Sequence, residues 1–587
     1  MLEPRLYRAS LLLPLAALVV VMFSVVSRPE PLRSTTASDA FEGDRAAGLA
    51  RRLVELAPDR SPGSRGDAAA AEFVAQRFRS VTGGQVAQES FDGNFDGDDV
   101  EMRNVSLILP GRSNRRVVLV ADRDCPAGPC AVSSAAATGA LLELASNFGG
   151  TRHSKTFVFV SADGSAAGAA GARELGSELE AQPADAVIVI SQPGAAALGR
   201  PFVVPWSAGD QSTSIQLQES AEAAVESEAG SDPLSLGTFS SLFRLAVPSG
   251  LGDQGVLIER GVDAIAISSA GARPVPPSRD RPDSLSPDTL GNFGRATLSL
   301  SLALDAAGDP LEHGPDTYIP LAGKLMPGWA LALLAGALLV PVGVVSLDGL
   351  ARASRGGAPV LRTLAWVLGR AIPFLAALVL AYLMAAVGVL SKPDFPFDPQ
   401  RHPFGFGPAL ALLVLVAAFA AAIYASRHLG APNEAEDALP AAVGMIGFAA
   451  VAATWLINPY LALLVVPSVH LWLLGTLPEL RAAVLPSLVA GALGLILPLI
   501  AVAALGSSLG VGWEAPWQLL MMFTGRHFGP LAAVPLCVLG GCLVAMVELA
   551  MRYREPPASG MREGPARLGT HAGPGALGGP PSSLTRR

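Results

Sequence analysis

The chain has 587 residues, 50% hydrophobic and only 16% charged, with a mean hydropathy of +0.42. So apolar a composition excludes a single water-soluble globule and points to an integral membrane protein with several spans. The net charge of -8, with no Lys/Arg-dense stripe in the polar part of the chain, argues against nucleic acid as a partner.

In chain order, the first apolar run extends from Ala9 to Val26 behind Arg5 and Arg8. Ser27, Arg28, Pro29 and Glu30 follow it where a cleavage site would need small residues, so it reads as a signal anchor within residues 1–26. Residues 27–320 are mixed and Gly/Ala/Ser-rich, with no stretch long enough to span a bilayer, and are expected to form one soluble domain. Apolar runs return in residues 325–552, near 325–346, 365–390, 407–426, 438–457, 459–476, 483–506 and 530–551. Each is close to the ~20 residues that cross a ~30 Å hydrocarbon core. With the anchor, eight spans are expected.

That parity puts Arg5, Arg8, Arg352, Arg355, Arg362, Arg427, Arg481, Arg552 and Arg554 on one side, which the positive-inside rule makes the cytoplasm. Both termini are then cytoplasmic and residues 27–320 extracytoplasmic. The membrane is the plasma membrane if the host is bacterial, as the high Ala, Gly and Pro content suggests. Residues 553–587, rich in Pro, Gly, Ser and Arg, are expected to form a disordered cytoplasmic tail. The partners this layout implies are the lipid bilayer and other membrane proteins of a complex.

Within the soluble block, β-branched runs alternate with segments of helical period, the pattern of a largely parallel sheet flanked by helices. Strands are expected at Asn104–Leu109, Arg116–Ala121, Thr156–Ser161, Ala186–Ile190 and Ala264–Ser268. Helices are expected at Ala46–Leu56, Ala68–Arg79, Thr138–Asn147, Gly168–Glu180, Gly252–Arg260 and Ser286–Ala306. In such sheets chemistry sits at the carboxyl ends of the strands, here the loops after Ala121, Ser161 and Ile190.

Pro62-Gly63-Ser64-Arg65-Gly66, the run Val117 to Asp124, Gly139 to Ala145, Asp163-Gly164 with Gly168 to Gly171, and Asp280 to Leu290 follow one another in the order of the landmarks of M28-type zinc aminopeptidases. The chain resembles that family over about Arg45 to Ala307, which implies its α/β fold. The family's metal-binding residues are missing at the matching positions. Where the resemblance implies Ala-His-x-Asp, this chain has Ala121-Asp122-Arg123-Asp124. Ser134 stands at the bridging Asp, Ser165-Ala166 replaces the Glu-Glu pair, Ser191 and Gln192 fall near the later acid, and Asp280-Arg281 lies where a His is expected. Two-metal hydrolysis needs imidazole and carboxylate ligands and a carboxylate base for the bridging water. Only Asp122 and Asp124 retain that chemistry, and no catalytic or metal-binding residue is assigned.

Asp122 and Asp124 are expected to pair with Arg123 or cap a nearby loop, Ser165 to be a plain loop serine, and His153 to be exposed. Cys125 and Cys130 are candidates for a short-loop disulfide, with a zinc site as the other reading. Asn104-Val105-Ser106 is a glycosylation sequon in a eukaryotic host only.

The chain order of anchor, M28-like domain and seven further spans, with Phe243 to Gly255 and Gly261 to Ile265, is similar to the Gaa1-like family of GPI transamidase subunits, in which this domain is non-hydrolytic. That resemblance implies a scaffold or recognition role toward a peptide or lipid-linked substrate, without a cofactor. An active M28 metallopeptidase with a rearranged site, which would need zinc, and a transporter with a regulatory ectodomain are the alternatives. Inside the spans the candidates are Arg370, His470 and Glu548. Two aromatic loops, 391–406 with Phe395, Phe397, Phe404 and Phe406, and 507–529 with Trp513, Trp517, Met521, Met522 and Phe523, read as a headgroup belt or as a lipid cradle.

Overall fold

The computed structural model describes residues 3–34, 38–126, 128–196, 200–234, 236–247, 252–271, 275–393, 397, 399, 402–426, 428, 438–476, 484–508 and 511–552. Arg427, Arg481, Arg554, Phe395, the tail and residues 248–251 of the Phe243–Gly255 stretch lie outside them.

The polar part of the chain forms a seven-stranded mixed sheet: β1 (Gln85–Phe95), β2 (Asp98–Leu109), β3 (Arg116–Asp122), β4 (Thr156–Ala162), β5 (Ala186–Ser191), β6 (Phe202–Val204) and β7 (Ala264–Ser268). Their order is β1-β2-β4-β3-β5-β7-β6. The pairs β4–β3, β3–β5 and β5–β7 are parallel, as the β-branched runs predict, while β1 and β2 on one side and β6 on the other are antiparallel. The sheet is therefore parallel only at its centre.

The alternation of the central strands sends Val117, Leu119 and Ala121 to one face and Val118 and Val120 to the other. Helices Gly43–Leu56, Ser134–Phe148 and Pro287–Ala306 cover the first face, and Ala170–Ala181 with Asp253–Glu259 cover the second. Burial on both sides is what lets β3 read as an unbroken apolar run.

The first apolar helix spans Pro4–Phe23 and the second Gly328–Arg355. They pack as antiparallel neighbours. At one end Val26 and Leu325 exchange backbone hydrogen bonds of 2.8 and 2.9 Å, and at the other Arg352 meets Glu3 at 3.6 Å. A hairpin, β8 (Tyr318–Leu321) and β9 (Lys324–Pro327), leads directly into Gly328.

Six helices among the described residues are long and apolar enough to cross a membrane: Pro4–Phe23, Gly328–Arg355, Phe406–Ser426, Leu439–Ile457, Leu485–Ser507 and Pro530–Met551. The span expected at 365–390 is two helices, Val360–Gly369 and Ile372–Ala386, bent by 40° at Arg370, and the one expected at 459–476 is a 17-residue helix, Pro459–Gly475.

Candidate functional site

The carboxyl ends of β3 and β4 and the start of helix Arg65–Arg79 converge on buried charges. Arg123, fully buried just past β3, bonds Asp67 through Nε (2.9 Å) and Nη2 (3.2 Å), and its Nη2 lies 3.0 Å from Asp163. The same guanidinium donates to the carbonyls of Arg103 (2.8 Å) and Ser161 (3.3 Å). Burial works against its charge, but Asp67 and Asp163 outweigh that and hold it above its usual range. Asp67 is held at the helix start, where the Ser64 side chain caps its N–H.

A second guanidinium, Arg60, is also fully buried and forms no side-chain ion pair among the described residues. Its donors go to Arg123 O (2.9 Å), Ala57 O (2.8 Å), Pro129 O (3.1 Å) and Ser134 Oγ (3.1 Å). Desolvation pulls its pKa down to about 10, with Asp124, Asp280 and Asp67 opposing. The Ser134 hydroxyl thus binds a guanidinium.

Asp124 accepts from the N–H groups of Ser165 (3.0 Å) and Ala166 (2.8 Å), the loop cap expected of it. Burial lifts its pKa to about 6 against those two donors. Asp122 does not pair with Arg123. Its carboxyl faces that of Asp253, at the start of helix Asp253–Glu259, and burial, then the Asp253 charge, raise it well above the carboxylate range. No N–H or hydroxyl among the described residues reaches Asp122 Oδ1 or Asp253 Oδ2. Ser165 Oγ donates to Asp253 (3.1 Å).

The remaining positions are spent on local structure. Asp280 accepts from the N–H groups of Val132 (2.7 Å) and Ser133 (3.1 Å) and from the Ser133 hydroxyl, fixing the turn into helix Ser134–Phe148. Arg281 is exposed, 3.6 Å from Asp283. Ser191 ends β5 opposite Ser268 of β7. Cys125 and Cys130 are disulfide-bonded, with 6.0 Å between their Cα atoms.

Two surface expectations are corrected. His153 is buried, wedged against Phe148 and Phe157, with Nε2 2.6 Å from Thr151 Oγ1 and 3.0 Å from Phe148 O. Asn104 is buried too, its amide bridging Gly171 O (2.9 Å) and Asp163 N (3.1 Å), which removes it as a sugar acceptor in the folded state.

Among the described residues, no group of three or more His, Cys, Asp or Glu side chains is arranged to hold a metal ion. The fit to a zinc pair fails on donor chemistry, since the cations at this end of the sheet are guanidiniums and the carboxylates are committed to them, to N–H groups or to one another. Arg60, Asp67 and Asp253 were not singled out by the sequence. Asp67 follows the Pro62–Gly66 motif, Asp253 lies within the Phe243–Gly255 stretch, and Arg60 carries no local signal.

In the apolar half, Arg370 sits at the bend between two helices. It pairs with Glu548 (2.8 Å), donates to Ser426 O (2.6 Å) and lies 5.0 Å from the centre of the Trp366 ring. His470 lies between Tyr7 Oη (2.6 Å, at Nδ1) and Leu338 O (2.8 Å, at Nε2). The carbonyl requires Nε2 to carry the proton, so Tyr7 donates to Nδ1. The two aromatic loops fold together: Trp517 Nε1 and Gln518 Nε2 each donate to His402 O at 3.1 Å, and Phe404 packs edge-on against Trp513 and Trp517. Trp517 and Phe397 are buried, while Trp513 is 76% exposed.

No family model matches the chain, and no curated protein matches it in sequence. Among solved structures, a glutaminyl cyclase from an Acidobacteriales bacterium is 17% identical, with a TM-score of 0.38 over 48% of this chain and 99% of that one. A leucine aminopeptidase precursor from Bacteroides thetaiotaomicron is 16% identical, with a TM-score of 0.36 over 46% of this chain and 98% of that one. The LapA aminopeptidase of Legionella pneumophila is 13% identical, with a TM-score of 0.39 over 48% and 79%.

Proposed function

We propose that residues 27–320 form a non-catalytic, M28-like recognition or scaffold domain, carried outside the cytoplasm by a multi-span membrane protein of Gaa1-like layout. The observation that carries this reading is the use of Arg60 and Arg123 as the buried cations beside Asp67, Asp163 and Asp124. A carboxylate spent on a fixed guanidinium is not free to ligate zinc or to take a proton from water. Burial and the neighbouring Asp253 raise Asp122 well above the carboxylate range, which disfavours the charge that zinc ligation needs.

The topology half of the proposal is supported by the antiparallel pairing of Pro4–Phe23 with Gly328–Arg355, which brings Glu3 and Arg352 to the end opposite the domain. The domain then sits on the side where the Cys125–Cys130 disulfide is stable.

Elemental analysis of the purified full-length protein after incubation with zinc tests it. The expected result is far less than one zinc per chain and no cleavage of aminoacyl substrates. Stoichiometric zinc, with hydrolysis abolished by Asp122→Asn, would instead establish the rearranged metallopeptidase.

A further inference from the structure

The bent helix Ile372–Ala386 and the 524–530 segment enclose a cavity of about 760 Å³, within the range of sites that hold small ligands. Its long wall is apolar. Val379 and Leu383, one turn apart on the helix, are 55% and 58% exposed, so this side of the cavity opens outward where a bilayer would lie. Its far end is cationic: Lys392 and Arg526 line it from two different loops, and neither forms an ion pair among the described residues.

The two loops are held together by a close approach. A Cβ on Gly525 would come within 2.6 Å of Pro393 O, and His527 Nε2 is 3.3 Å from the same carbonyl. Lys392 and Arg526, the neighbours of Pro393 and Gly525, are therefore brought to one rim. Arg526 reaches it with a φ of 64°, a left-handed conformation that a non-glycine residue adopts only under local constraint. The Tyr382 hydroxyl, also in the wall, is buried without a hydrogen-bond partner among the described residues. The rim faces the α/β domain, because Val247 of that domain packs into the same cluster as Met384 and Ala385.

An apolar slot open to the bilayer, closed at its polar end by two cations and one hydroxyl that have no partner among the described residues, is complementary to one kind of molecule. We propose that this cavity holds a single anionic glycerophospholipid from the leaflet on the α/β-domain side, its phosphate between Lys392 and Arg526 and its acyl chains along Val379 and Leu383. Tyr382 donates its hydroxyl to a phosphate or ester oxygen. The charged residues that line the cavity among the described residues, Lys392 and Arg526, are both cationic. A free phosphate ion would leave the apolar wall unfilled. The site is independent of the reading given to the α/β domain, and either can fail without the other.

The test is native mass spectrometry of the full-length protein, partly delipidated and then exposed to vesicles of phosphatidylglycerol or phosphatidylcholine with matched chains. The wild type is expected to keep one phosphatidylglycerol per chain, about tenfold in preference to phosphatidylcholine, on the strength of two basic side chains at the surface. Lys392→Ala with Arg526→Ala should abolish the preference. Lys392→Arg with Arg526→Lys should keep it, and Leu383→Trp, which fills the slot, should lower retention of both lipids. Equal retention by the wild type, an unchanged preference in the double alanine variant, or full displacement of the lipid by millimolar inorganic phosphate would overturn the proposal.

Discussion

Buried charge is handled in opposite ways in the two halves of this molecule. At the end of the sheet it is pooled: Arg60, Arg123, Asp67, Asp163, Asp124, Asp122 and Asp253 lie in one connected region, where Asp163 is shared between Arg123 and backbone N–H donors. Among the membrane helices it is divided into separate small sets: Arg370 with Glu548, and His470 with Tyr7. Pooling lets two guanidiniums compensate several buried carboxylates at once. Division is what lipid demands, since an unpaired group there has no water to turn to.

The largest effect that would sharpen the contrast comes from Arg123→Met, which leaves Asp67 and Asp163 buried without their cation and should cost about 3–5 kcal/mol. Thermal melting of the full-length protein should show the α/β domain unfolding early, and Arg123→Lys should rescue little, because a point charge cannot span Asp67, Asp163 and the Arg103 carbonyl. A melt unchanged within a degree would mean the network is dispensable. Arg370→Met should cost about 2–3 kcal/mol, the burden of a lone acid within a span. Adding Glu548→Leu should restore most of it, and a double variant no better than the single would break the picture of a self-contained pair.

The pH dependence ranks next. Because the Asp124 carboxyl is raised to about 6 in the folded protein, the native state holds a proton that the unfolded chain releases near 4. Its contribution is full below about pH 4 and is lost as pH climbs through about 6. The melting temperature of the wild type relative to Asp124→Asn should therefore drop between those values, and a flat difference would remove Asp124 from the account. Replacing Cys125 and Cys130 by Ser should cost about 2 kcal/mol for so short a loop, read as a lower denaturant midpoint. Tyr7→Phe is the mildest, at about 1 kcal/mol, with detergent stability as the measure.

The centre of the sheet was legible because β3, β4, β5 and β7 are buried on both faces and leave unbroken β-branched runs. Strand β1 left none: its side chains are mostly exposed, and the only alternation, Phe91-Asp92-Gly93-Asn94-Phe95, is short and has a glycine at its centre. Its hairpin did carry a local signal in Asp96-Gly97, whose φ values of 53° and 97° are those of a tight two-residue turn. At the site, the lack of histidines in the loops after Ala121, Ser161 and Ile190 was readable residue by residue. The charge network there was not, because Arg60 and Asp67 lie in one segment and Asp253 in another far along the chain, and only the folded chain joins them. The bend at Arg370 has a similar cause: Val360–Gly369 and Ile372–Ala386 form one hydropathic run, and a guanidinium reaching Ser426 and Glu548 marks the break only once its neighbours are known.

The clasp between Val26 and Leu325 imposes an order of events on synthesis. Helix Pro4–Phe23 leaves the ribosome first, but its antiparallel neighbour begins only at Gly328, after the whole α/β domain has been made. At ~5–20 residues per second that interval is roughly 15–60 s, during which the first helix is without the neighbour it packs against. The α/β domain hangs as a loop whose two ends meet at one point. Its fold must be complete, or nearly so, before the ends can be tied, and a defect in the domain should therefore surface as a failure of the membrane helices to assemble.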